Sequence, residues 1–256
     1  MRPAQAEPTH ELRVDPRPET IYTLGATGLW LGVEFARPVW APSQCRWCNP
    51  PGIDADIRNA LKADQTLGAN IASYGTAGLA ALVAFGGLGM AGAQQGGGHF
   101  GEDALIVGEA TATTMLVTNV FKGAFGRERP HVHALTAEQK LNREPSSDDN
   151  VSFFSGHTSF AFALATAGGT VAHLRGYDLE PYIWGFGLSV ATVTGYLRIV
   201  SDSHYFTDVI AGAAVGSALG VGMPLLFHGR TTTERSIGVS AMPLGPVRSF
   251  VISGVF

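Results

Sequence analysis

Residues 71–90 read IASYGTAGLAALVAFGGLGM, without one charged side chain, and a helix of about 20 predominantly apolar residues is long enough to cross the hydrocarbon core of a bilayer. The charge-free run around it is longer still: no Asp, Glu, Lys or Arg occurs in the 37 residues from Gln65 to Gly101. Working outward, Ala104–Phe121 is broken only by Glu109, Thr158–Leu174 and Pro181–Leu197 carry no charge, and Val209–Gly229 is again charge-free. Five long apolar segments with charge confined to their ends predict a helical bundle that crosses a membrane. Thr20–Val33 is a sixth segment, short for a span and compatible with an interfacial or soluble-core helix.

Composition agrees. Of 256 residues, 15% are charged, against about 25% in an ordinary soluble protein. The net charge of −4 and the 17 scattered Lys and Arg lack the basic patch that nucleic-acid binding requires, so no nucleic-acid partner is expected. Gly212, Gly216 and Gly220, four apart, line one face of the last segment and would let helix backbones approach closely in lipid. The expected fold is therefore all-α: five or six long apolar helices, transmembrane, with an active site at the helix ends on one side. Residues 1–17 form a polar N-terminal segment, 18–229 the helical domain, and 230–256 a tail or short β-hairpin, because Ser236–Met242 and Val247–Val255 alternate apolar and polar residues around Pro243, Gly245 and Pro246. Ala4-Gln5-Ala6 has the small-residue pattern of a signal-peptide end without an apolar stretch before it, which keeps open an exported, compact helical version of the same bundle. Lys and Arg counts in the loops do not choose an orientation. Cys45 and Cys48, in a Pro-rich connection, read either as a local disulfide in an extracytoplasmic loop or as an inert reduced pair, since one Cys pair is too few for a structural zinc site.

Three polar groups sit where apolar segments end. Lys122 and Arg129, followed by Pro130, supply two cations able to surround an oxyanion, or simply form a charged juxtamembrane loop; Arg127 and Lys140 nearby receive no role. Ser155-Gly156-His157 opens the fourth segment: Ser155 is a good N-cap, Gly156 allows close backbone approach, free amides at a helix start attract phosphate, and His157 is available as acid or base. A plain cap is the alternative. In the third group Arg198 precedes His204, and Asp208 follows four residues on, placed to accept a hydrogen bond from one imidazole nitrogen and leave the other basic. A self-satisfied His–Asp pair is the alternative there. His131 and His133 read as loop histidines, and Glu109 as an intramembrane carboxylate that is either functional or matched to a partner helix.

Taken in order, Lys-x6-Arg-Pro, Ser-Gly-His and Arg-x5-His-x3-Asp resemble the motifs of the type-2 phosphatidic acid phosphatase superfamily, which includes bacterial non-specific acid phosphatases and vanadium-dependent haloperoxidases. Two positions depart from the usual pattern: Phe154 replaces a Pro before Ser-Gly-His, and Leu197 replaces a Ser before Arg198. The resemblance implies a membrane phosphatase acting on lipid phosphates or isoprenyl diphosphates, with no metal or other cofactor. His204 would be the nucleophile, Asp208 its orienting partner and His157 the acid and base, with Lys122, Arg129, Arg198 and the Ser155-Gly156 backbone binding phosphate. It also implies an active site facing the extracytoplasmic side. The alternatives are an exported soluble acid phosphatase, periplasmic or secreted, a haloperoxidase holding vanadate, and a membrane structural or transport protein without chemistry.

Overall fold

The computed structural model describes residues 9–231 and the backbone of 238–244 and 247–253. Six long helices run alternately up and down. They are α1 (Pro16–Phe35), the rod formed by α4 (Thr66–Ala81), a π-helical turn (Leu82–Gly86) and α5 (Gly87–Gln94), then α6 (Phe100–Phe125), α9 (Gly156–Arg175), α10 (Glu180–Val200) and α11 (Phe206–Phe227). Short helices α2 (Arg37–Trp40), α3 (Gly52–Leu61), α7 (Pro130–His133) and α8 (Ala137–Leu141) lie in the connections. The fold is the all-α bundle that the apolar segments predict.

Thr66–Gln94, Phe100–Phe125, Glu180–Val200 and Phe206–Phe227 are long and apolar enough to cross a membrane. Their outward faces carry large apolar side chains, among them Leu67, Ile71, Leu82, Phe186 and Leu226. α9 differs because it is the central element: it packs against α4, α6, α10 and α11, and its run from Ala163 to Ala172 is entirely buried. A helix surrounded by helices needs small residues as much as apolar ones, which its Ala, Gly and Thr content supplies. The glycine face of α11 meets it directly. A Cβ on Gly212 would lie 2.7 Å from the Ser155 carbonyl oxygen, and Gly216 and Gly220 abut Ser159 and Ala163 backbone in the same way.

α1 is longer than Thr20–Val33. Asp15 caps it by accepting from the Arg17 amide at 3.3 Å, and Pro16 occupies the first turn, where proline's fixed φ favours helix and its missing N–H costs nothing. The segment ahead of it is pinned in place: the His10 amide donates to the Arg175 carbonyl (3.0 Å), and Leu12 pairs with Arg230. Gly238–Leu244 and Val247–Ser253 form an antiparallel hairpin, β1 and β2. Ala4-Gln5-Ala6, Gly245 and Pro246 lie outside the described residues.

α6 stops at Gly126, whose φ of 54° is a left-handed conformation that glycine adopts without penalty. Pro130 therefore does not end that helix; it opens α7 as its first residue. Cys45 and Cys48 are joined by a disulfide. The alternation of the bundle puts the end of α1, the start of α4, the end of α6, the start of α9, the end of α10 and the start of α11 at one end.

Candidate active site

Every residue singled out in the three motifs lies at that end. Lys122 closes α6, Gly156 and His157 open α9, Arg198 closes α10, and His204 sits in the turn before α11, with Asp208 in its first turn. Lys122, Gly156 and His157 line a cleft of about 340 Å³ together with Trp30, Arg37 and Tyr74. His204, Arg129 and Arg198 are buried, and hydrogen bonds join them: Arg129 Nη1 lies 3.2 Å from His204 Nε2, and the His204 amide donates to the Arg198 carbonyl at 3.1 Å.

The Arg129 contact fixes the tautomer. A guanidinium only donates, so His204 Nε2 must present its lone pair, and the ring proton belongs on Nδ1. Nδ1 faces Asp208 Oδ2 at 3.6 Å and Ser152 Oγ at 3.5 Å. The first separation is longer than a hydrogen bond, unlike the direct bond read from i, i+4 spacing, because His204 precedes the helix and Asp208 turns back to cap it. Asp208 accepts from the Tyr205 amide (2.9 Å), from Ser152 Oγ (2.6 Å) and from Arg127. Burial first, then the charges of Arg129, Arg198 and Lys122, push the His204 imidazole well below its usual range, so the ring stays neutral.

Ser155 caps α9 as expected, accepting from the Thr158 amide at 3.4 Å. Its own amide, however, donates to the Asp208 carbonyl at 3.0 Å and is not free for an anion. The donors available at this helix start are one residue further on, the amides of Gly156 and His157, which have no intrahelical acceptor. Lys122 Nζ approaches Gly156 so closely that a Cβ there would lie 3.2 Å from it. Arg198 donates to Asn70 (2.6 Å) and Ser73 (3.0 Å) of α4, and its Nε is buried with no partner among the described residues. His157 stands edge-on to Tyr74, ring centroids 4.3 Å apart.

Other contributors receive no role from the sequence, Arg127 among them although it lies inside the first motif. Arg127 is 1% exposed, bridges Asp208 and Asp54 of α3 (2.6 Å to the latter), and is sandwiched between the rings of Trp47 and Tyr205, 3.9 and 4.4 Å from its Cζ. Trp47, whose ring lies over Arg127, sits in the short loop closed by the Cys45–Cys48 disulfide. Arg37, the first residue of α2, adds a cation to the cleft. Asp148 takes hydrogen bonds from both Arg129 Nη2 and Arg37 Nη1 at 2.8 Å. Burial would raise its carboxyl, but Arg129, Lys122 and Arg37 outweigh that and hold it down to about 2. His131 and His133 bond to the Asp202 carbonyl and to Glu128, away from these groups. The two departures from the usual motif carry no polar function: Phe154 is fully buried against Phe121 and Phe153, and Leu197 lies on α10.

A neutral histidine thus lies beside three buried cations where the helix ends converge. The profile of the PAP2 superfamily matches residues 103–232, just over half of the sequence, and the chain belongs to that superfamily. Over 118 residues it is 34% identical to a lipid A 1-phosphatase of Porphyromonas gingivalis, a match covering 45% of this chain and 22% of that protein. Over 132 residues it is 31% identical to a PA-phosphatase related-family protein of Dictyostelium discoideum, covering 48% of this chain and 47% of that protein. The matched regions are thus less than half the length of these relatives. The crystal structure of a transmembrane PAP2 type phosphatidylglycerolphosphate phosphatase from Bacillus subtilis superposes with a TM-score of 0.46 at 18% identity, covering 81% of this chain and 93% of that one.

Proposed function

We propose that this chain is an integral membrane phosphatase that hydrolyses lipid phosphate monoesters or isoprenyl diphosphates through a phosphohistidine, without a metal at the reacting centre. The observation that carries the reading is the pairing of a neutral His204, its Nε2 lone pair directed at Arg129, with Lys122 and Arg198 at one end of a bundle whose flanks are apolar. Burial and the charges of Arg198, Lys122 and Arg129 hold His157 down to about 3 without an anion, so His157 takes up its proton with the bound phosphate dianion. His204 Nε2 attacks phosphorus as the bond to the leaving oxygen breaks, and the His157 imidazolium gives that oxygen its proton. His157 then takes a proton from water, which cleaves the N–P bond and restores His204; a positioned acid–base of this kind is typically worth about 10²- to 10⁴-fold in rate. Lys122, Arg129, Arg198 and the Gly156 and His157 amides offset the charge that builds on the phosphoryl oxygens. Asp208, through Ser152 and by its nearby charge, favours the ring proton on Nδ1. The names of the relatives and the apolar wall of the cleft support a lipid-linked substrate, and the expected side is extracytoplasmic.

The test is phosphate release by detergent-purified protein from phosphatidic acid, an isoprenyl diphosphate and a soluble aryl phosphate, with EDTA present. Lipid-selective, EDTA-resistant release that disappears in His204→Ala is the expected result. Appreciable turnover by folded His204→Ala overturns the phosphohistidine route. Failure of folded wild-type protein on all three substrates overturns the phosphatase reading, and halide oxidation on adding vanadate would then identify a haloperoxidase.

A further inference from the structure

At the opposite end of the bundle, three elements bring Glu19, Glu109 and His228 together. Glu19 lies in the first turn of α1, Glu109 on α6, and His228 caps the end of α11. Glu109 and His228 are 6% and 2% exposed, and one donor atom from each of the three residues lies within 4.8 Å of the other two. The local chemistry is incomplete as it stands. His228 Nδ1 is 3.0 Å from the Arg13 carbonyl oxygen, which only accepts, so Nδ1 carries a proton. The bond to Glu109 Oε2, 2.9 Å away, and the charges of Glu109 and Glu19 raise the imidazole's proton affinity against the cost of burial, so a proton on Nε2 can satisfy that contact, and an ion bound there would take that proton's place. One proton on Nε2 would balance one carboxylate. A second remains: Glu19 Oε1 accepts from the Asp15 amide at 2.9 Å and lies 3.7 Å from His228 Nδ1, while Glu19 Oε2 is buried with no partner among the described residues.

We propose that Glu19, Glu109 and His228 bind a divalent transition-metal ion, of which zinc is the type. Two carboxylates and one neutral imidazole balance a 2+ charge. A histidine whose far nitrogen donates to a backbone carbonyl has the outer support that metal-bound imidazoles use. Zinc takes His nitrogen and carboxylate oxygen at about 2.0 to 2.2 Å in tetrahedral geometry, so small side-chain rotations close the triad around an ion. A cleft of about 440 Å³, walled by Tyr22, Met223 and Phe227, leaves space for a fourth ligand such as water. The ion ties α1 and the end of α11 to α6. Glu109 and Lys122 are on the same helix, and at 1.5 Å per residue they are roughly 20 Å apart, so the ion acts on stability and takes no part in phosphate chemistry.

The experiment uses untagged full-length protein in detergent, stripped with chelator and titrated with Zn²⁺, read by calorimetry, elemental analysis and melting midpoint. One zinc per chain is expected, with a midpoint rise on the order of 5 °C at saturation. His228→Ala and Glu109→Gln should abolish both effects. Glu19→Gln, at a partly exposed position, keeps the protein folded and should weaken binding at least about tenfold. His99→Ala removes the histidine of the other carboxylate–histidine group, with Glu11 and Glu102, and should change nothing. No zinc on folded wild-type protein, binding undiminished in both His228→Ala and Glu19→Gln, or binding lost with His99→Ala would each overturn the proposal.

Discussion

Arg127 stands between Asp54 and Asp208 with its guanidinium stacked on two aromatic rings, and that environment decides what its removal does. Truncating one partner of a buried ion pair strands the others, at a typical cost of about 3 to 5 kcal/mol. Arg127→Met should therefore lower the unfolding midpoint sharply and, by releasing Asp208, depress turnover, while substrate affinity measured with vanadate changes little. Wild-type midpoint and turnover in Arg127→Met would show that Asp208 is held by its cap and Ser152 alone. Asp148 presents the reverse case. Its carboxylate occupies Arg129 and Arg37 where a phosphoryl group would bind, so Asp148→Asn should tighten inhibition by inorganic phosphate, on the order of fivefold for loss of one partly exposed competing charge. Weaker inhibition would mean that Asp148 aims Arg129 and does not compete for it. Asp148 was not singled out in the sequence, and Arg127 was named there without a role, which its bonds to Asp54 and Asp208 correct. Lys122, His157, Arg198 and His204 could be found because the three motifs that carry them, each weak alone, resemble a known family's set when taken in order. Arg127 meets Asp54 and Asp208 across 73 and 81 positions, and such a pairing leaves no local trace.

At the scale of elements, long runs nearly free of charge were a sufficient signal for α4 to α5, α6, α9, α10 and α11, since a charge buried among apolar neighbours is costly unless it is paired, as Glu109 of α6 is with His228. It was a poor signal for α1, where Arg17, Glu19 and Glu34 sit within the helix near its ends and made the segment look too short. Glu109 read equally as functional or matched; its geometry pairs it with His228. The small-residue face of α11 was legible as a packing surface, though not what it packs on. Because Gly212 abuts the Ser155 carbonyl, Gly212→Ala should push back the start of α9. Overpacking of this kind costs about 1 to 3 kcal/mol, and here it also displaces the Gly156 and His157 amides. Turnover is expected to fall more in Gly212→Ala than in Gly222→Ala, where a Cβ meets nothing within 4 Å. Equal turnover in the two variants would show that α9 accommodates the methyl group without moving the site.

For the whole molecule, the motif residues come from helix ends that are far apart in sequence, and strict up-down alternation is what gathers them. A bundle with one helix fewer between α6 and α11 would deliver His204 to the opposite end from Lys122. The same alternation has a consequence for where substrate can be found. A bundle that crosses a bilayer and carries all its phosphate-binding groups at one end can meet headgroups in only one leaflet. In sealed vesicles containing uniformly oriented protein, phosphatidic acid in the leaflet facing the site should be consumed while the other leaflet's pool persists, and an added lipid scramblase should release it for hydrolysis. Complete consumption without scramblase would mean that substrate reaches the centre from both sides. Where the site serves one leaflet only, turnover of the far pool follows lipid flip-flop and not the chemistry of His204.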